Sequence, residues 1–71
     1  MNILRKEIDQ DWQNETTKYW FAVNGEDFCI ADNCGELTLL DSEGYPIDAC
    51  NDQEGVKESL IPEYELWAEE A

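Results

Sequence analysis

Apolar residues recur along this chain with two different periods. Leu4, Ile8 and Trp12 stand four apart near the start, a spacing that a short helix would gather on one face, although the alternation of a strand admits the same residues. The four-residue spacing predicts a short N-terminal helix. From Thr17 the period becomes two. The runs Thr17 to Val23 and Glu26 to Asp32 flank Asn24-Gly25, and two β-prone runs joined by Asn-Gly predict a hairpin, because both turn residues tolerate the positive φ of a type I′ turn. Pairing outward from that turn sends Tyr19, Phe21, Val23, Phe28 and Ile30 to one face and Trp20, Ala22, Cys29 and Ala31 to the other. The first set is the expected core. The second is apolar too and calls for partial cover, by the leading segment or by a partner.

Further along, Asn33 to Gly35 reads as a turn, Glu36 to Leu40 as a third strand, Asp41 to Gly44 as another turn, and Tyr45 to Ala49 as a fourth strand that Pro46 restricts to an edge. Asn51 and Glu54 have the spacing of a capping box and predict a helix start. Gly55 weakens that helix, and Pro62 requires a kink or a restart, since proline lacks the N–H and clashes with the preceding turn. Val56, Leu60, Tyr64 and Trp67 share one arc if the helical phase survives the proline; a short strand over Tyr64 to Ala68 is the other reading. The expected fold is α+β, a small antiparallel β-meander of about four strands with a short N-terminal helix and an acidic C-terminal helical segment, in a single domain over residues 1–71.

Charge changes the picture most. The 71 residues hold 18 Asp and Glu against 4 Lys and Arg, with no His, for a formal net charge of −14. A chain 42% hydrophobic with three Trp, three Tyr and two Phe is nonetheless too rich in large apolar residues for an acidic disordered tail. Direct binding to nucleic acid or to an anionic membrane is excluded, because phosphate contacts need cations. The longest apolar run, Tyr19 to Val23, is far short of a membrane span, and nothing near Met1 resembles a signal peptide. Three cysteines, Cys29, Cys34 and Cys50, are an odd number without a secretory signal, so reduced thiols and a cytoplasmic location are expected.

Catalysis has little to work with. There is no His for acid–base chemistry or to partner a Cys nucleophile, and a chain this small does not build a deep dry pocket, so an enzyme is not expected. The cysteines lack the spacing of a zinc site, and the acidic loops at Asp41 to Gly44 and Asp48 to Asp52 do not follow the EF-hand pattern. No metal or cofactor is expected.

The acids are unevenly placed. Residues 1–18 hold four acids and three bases, whereas everything after Lys18 holds 14 acids and one base, Lys57. On a helix Glu54, Glu58, Glu65 and Glu69 fall within an arc of about 60° and form a stripe about 22 Å long, opposite Val56, Leu60 and Trp67. A net charge of about 2–8 is enough for the solubility of a small domain. The excess resembles a nucleic acid: a compact chain of this length is near 30 Å across, and that length of duplex carries roughly 17 phosphates. In size, charge and aromatic content the chain is similar to small acidic phage-type inhibitors of restriction enzymes, CRISPR effectors and DNA-repair glycosylases, which imitate nucleic acid.

One segment carries a closer resemblance. Residues Lys57 to Glu63, with Glu58-Ser59-Leu60 followed by Glu63, resemble the Glu-Ser-Ile segment and following acids of uracil-DNA glycosylase inhibitors, in which Glu and Ser engage the DNA-binding cleft. The segment departs from that family in having Leu60 for Ile and in lying after the strands. The resemblance implies a basic nucleic-acid-binding partner, such as a nuclease, a CRISPR effector or a DNA-repair enzyme. The expected contact residues are Glu54, Glu58, Glu63, Glu65, Glu69 and Glu70, with Tyr64 and Trp67 as apolar anchors, while Trp12 and Trp20 are expected in the core. The competing reading is an adaptor domain, possible as a homodimer, that docks through Trp20, Ala22, Cys29 and Ala31.

Overall fold

The computed structural model describes residues 2–48, 50–52 and 55–70. Four strands, β1 (Ile3–Asp11), β2 (Thr16–Val23), β3 (Glu26–Asn33) and β4 (Glu36–Leu40), precede one helix, α1 (Val56–Glu70). The strands form one antiparallel sheet in the order β1-β2-β3-β4. The architecture is therefore α+β, a four-stranded meander carrying a C-terminal helix.

Both inner hairpins follow from their turn residues. Val23 pairs with Glu26 across Asn24-Gly25, whose φ angles are 52° and 86°, as a type I′ turn requires. The β3–β4 hairpin repeats the device with Cys34 at φ 52° and Gly35 at 94°, and the Asp32 carboxylate accepts the Gly35 N–H at 2.9 Å. This register puts Tyr19 opposite Ile30 and Phe21 opposite Phe28 on the face that α1 covers, and Trp20 opposite Cys29 on the other face.

The N-terminal segment differs from its expectation: it is a strand, not a helix. The four-residue spacing of Leu4 and Ile8 suits a helix, but a β-bulge between Arg5 and Glu7 breaks the alternation inside β1. Leu4 therefore pairs with Ala22 on the open face, and Ile8 with Tyr19 on the covered one. The open edge of β2 gains a backbone ladder from this pairing, which a peripheral helix would have left exposed. β1 consequently lies beside β2 and does not cover Trp20 and its neighbours. The bulge and the charged residues of this edge strand also discourage pairing with another chain.

Tyr45 to Ala49 is not the fourth strand. Ala49 lies outside the described residues; the preceding stretch makes one bridge, Pro46 to Leu40, with the Ile47 N–H donating to the Leu39 carbonyl at 2.8 Å. The meander reaches four strands because β1 supplies the missing one.

The helix begins differently from the capping-box reading. Glu54 lies outside the described residues, and it is Asp52, not Asn51, that caps α1: its carboxylate accepts the N–H groups of Val56 at 2.8 Å and Lys57 at 3.0 Å. Gly55, at φ 67°, precedes the helix instead of weakening its interior. The helix then runs through Pro62 without a restart, and Tyr64 to Ala68 is helical, not a strand. Pro62 is exposed, so the carbonyl it deprives of a hydrogen bond lies on the side where water can replace the lost donor.

The core lies between α1 and one sheet face. Phe21, Ile30, Leu39 and Leu60 are fully buried there with Tyr19, Val23 and Val56, and Ile3, Phe28, Leu37, Ile47, Tyr64, Trp67 and Ala68 pack around them. Cys29, Ala31 and Leu40 form a smaller cluster on the opposite face, with Trp20 packed against it. Trp20 thus has a core-like role on that face. Trp12 does not: it sits just after β1 with 78% of its surface exposed. No helix among the described residues is long and apolar enough to cross a membrane.

Candidate acidic interface

No charged side chain is buried among the described residues, so the negative charge is displayed at the surface. Part of it is consumed by architecture. Asp32, Asp41 and Asp52 each accept backbone N–H groups that shape a turn or start the helix. Asp11 does the same in the β1–β2 turn, where the Asn14 side-chain hydrogen bond holds its carboxyl below the ordinary carboxylate value. Short carboxylates reach neighbouring backbone easily, which is why this work falls to Asp. Two ion pairs form among the described residues, Lys6 with Asp27 at 3.0 Å and Arg5 with Glu70.

The glutamates behave differently. The inward arc of α1, with Val56 and Leu60 buried and Tyr64 and Trp67 half-buried, turns the opposite arc to solvent, and that arc carries Glu58, Glu65 and Glu69 together with Pro62 and Leu66. These three carboxylates fall within about 40° of arc and span about 16 Å along the axis. Glu58, Glu65 and Glu69 are exposed, whereas Glu63 is half-buried on the flank of the helix and Glu70 is drawn to Arg5. The expected stripe is therefore present over Glu58, Glu65 and Glu69, and the expected contact set is not a single face.

Glu58, in the first turn, favours the start of the helix, but the rest of the stripe does not help it. Negative charge disfavours a helix C-terminus, and like charges at i and i+4 repel. Glu65 and Glu69 are such a pair, Glu69 and Glu70 occupy the last turn, and no base stands there. The unfavourable effect is roughly 0.3–1 kcal/mol for each terminal charge, with a few tenths more for the pair.

Tyr64 and Trp67, expected as anchors, are half-buried and packed against the core. Trp67 packs edge-on to Tyr19 and Phe21, with ring centroids at 5.7 and 5.3 Å, and Tyr64 meets Tyr19 at 4.8 Å. The Arg5 guanidinium lies 5.6 Å over the Trp67 ring, closing it from above. The Tyr64 hydroxyl donates to Asp32 at 2.8 Å, joining α1 to β3; burial, and then this hydrogen bond, push its pKa up to about 12. Trp67 lies among Glu65, Glu69 and Glu70 in sequence, but helical geometry turns Glu65 and Glu69 outward and Trp67 toward the sheet.

The exposed apolar residue on this helix is Leu66, 52% accessible. Leu66, with Pro62, Tyr64, Glu65, Ala68 and Glu69, lines a shallow open groove. Sequence reasoning passed over Leu66, although its position, one turn after Pro62 and off the Val56-Leu60-Trp67 arc, was the available signal.

In the segment that resembles glycosylase inhibitors, Glu58 points to solvent, Ser59 is half-buried, and Leu60 is fully buried in the core. The thiols form no disulfide: Cys34 and Cys50 are exposed, and burial pushes the pKa of Cys29 up to about 11. Among the described residues no group of three Cys or acidic side chains is arranged to hold a metal ion.

No protein-family model matches this chain, and neither a curated protein nor a solved structure matches it.

Proposed function

We propose that this protein is a small acidic inhibitor that binds the cationic nucleic-acid site of a larger protein and blocks it by electrostatic competition. The observation that carries this reading is the outer face of α1, where Glu58, Glu65 and Glu69 stand together without a compensating base, and where Glu65 and Glu69 repel each other and Glu69 opposes the helix C-terminus. Charges that serve only solubility have no reason to collect there. Whole-molecule dimensions agree. The longest extent is 30 Å, a length of duplex with roughly 17 phosphates, against a net charge of −14. The α1 stripe alone offers three carboxylates over a length in which one strand of a duplex has about five phosphates, so it is closer to one strand's backbone than to two. The remaining carboxylates supply the wider field that steers a basic partner.

The test is affinity capture from a bacterial lysate followed by release with competing DNA or RNA. Retention of a basic nucleic-acid-binding protein, released as nucleic acid is added, is the expected result. A nucleic acid that joins the complex without releasing the protein would show that the two do not share a site. The adaptor reading predicts instead a concentration-dependent dimer through Trp20, Ala22, Cys29 and Ala31. Cys29 and Ala31 are already covered within a single chain, at 0% and 8% exposure, so the apolar surface this face offers comes from Trp20, Ala22 and Leu4.

A further inference from the structure

We infer that the groove around Leu66 is the specificity element of the acidic face, and that its occupant is a basic protein surface presenting an apolar side chain between Arg or Lys residues. The inference rests on the reading that α1 faces a cationic partner, and it names what that partner must add to charge. Three observations support it. The groove is lined by the apolar Pro62, Leu66 and Ala68 together with the acidic Glu65 and Glu69. Leu66 is half exposed on a face otherwise given to glutamates and Pro62, and it contributes nothing to the clusters that hold the fold. Tyr64, which also lines the groove, is held in place by its hydroxyl bond to Asp32 and by edge-on packing on Tyr19, so this part of the lining is set before a partner arrives.

Charge and apolar contact have separate consequences in this arrangement. Carboxylates act at a distance and attract any polycation, with a strength that falls as salt rises. An apolar side chain seated on Leu66 and Pro62 is desolvated on contact, and the surrounding ion pairs then form in a less aqueous setting. A polycation without an apolar side chain gains the first term alone. Discrimination among basic surfaces therefore falls to Leu66.

The experiment uses two probes on the full chain: a short amphipathic peptide of Lys, Ala and Leu, and an oligolysine of equal charge. Binding is followed by backbone amide shifts and by titration at low and moderate salt. The amphipathic peptide is expected to perturb residues 62–69 and to bind Leu66→Ser about tenfold more weakly than the wild type. Oligolysine is expected to lose less than about twofold, since its attraction is to charge. Leu66→Met, which keeps the apolar volume, restores peptide binding, and thermal melts of both variants confirm that they are folded. Equal losses for both probes, or shifts centred on Trp20 and Ala22, overturn the assignment of the groove while leaving the electrostatic reading intact. Failure of both probes to bind wild-type protein at low salt overturns both.

Discussion

The two faces of α1 divide the chemistry of this protein. Inward, Val56, Leu60, Tyr64 and Trp67 close the core against Tyr19, Phe21, Ile30 and Leu39. Outward, Glu58, Glu65 and Glu69 surround Pro62 and Leu66 and touch nothing that holds the fold together. One helix thus carries both the apolar cover that a four-stranded sheet needs and a charged surface whose C-terminal glutamates oppose the helix dipole. The stability that permits the second comes from the first. A small domain has only a few kcal/mol to spare, and three edge-on aromatic contacts contribute about 0.5–1.5 kcal/mol each beyond their buried area.

The sharpest way to break the inner face is Leu60→Ala. Leu60 is fully buried at the centre of the helix–sheet contact, so the loss is expected to be about 2–5 kcal/mol. Urea titration should show the chain largely unfolded or close to its midpoint without denaturant. Leu66→Ala, the same change four helix positions short of the C-terminus of α1 but facing solvent, should move stability by no more than about 0.5 kcal/mol. Similar losses from the two variants would mean that the faces are not separable.

Tyr64→Phe tests the hydroxyl link between α1 and β3 and should cost about 1 kcal/mol, since the ring contact with Tyr19 remains and a hydrogen bond to Asp32 is lost. Alkaline titration reads the same contact. The pKa of Tyr64 in the folded protein is raised from 10.0 to about 12, so below pH 10 its contribution is fully present and it is lost as pH rises from about 10 to about 12, where the unfolded chain releases the proton first. Wild-type protein should lose stability across that window, and Tyr64→Phe should lose less.

On the outer face the sign reverses. Replacing Glu65 and Glu69 by Gln removes an i, i+4 repulsion and an unfavourable charge near the helix C-terminus, so thermal melts should show stabilisation of a few tenths to about 1 kcal/mol. A destabilised E65Q/E69Q variant would mean that these carboxylates have a structural role.

Much of this division was legible in the sequence. Asn24-Gly25 and the alternation around it fixed the central hairpin and both of its faces, because turn chemistry and period two agreed. The phase of Val56, Leu60 and Trp67 placed the glutamate stripe correctly over Glu58, Glu65 and Glu69. What failed depended on partners distant in the chain. The strand character of Ile3 to Asp11 comes from pairing with β2, and its bulge is invisible to periodicity. Trp67 and Trp12 differ from their expected environments because a side chain's surroundings in a small domain are set by the packing of whole elements: α1 over the sheet packs Trp67 against the core, and the turn after β1 leaves Trp12 in water. Leu66 was hidden by its composition, since one leucine among glutamates reads as helix filler until the buried arc is known.

The central claim, that the outer glutamates of α1 meet a cationic nucleic-acid site, is tested most directly by the affinity of E58Q/E65Q/E69Q for the captured partner over a range of salt concentrations. The account predicts a variant that stays folded, binds at least about tenfold more weakly at low salt and shows a shallower dependence on salt. Unchanged affinity with an unchanged salt dependence would contradict it.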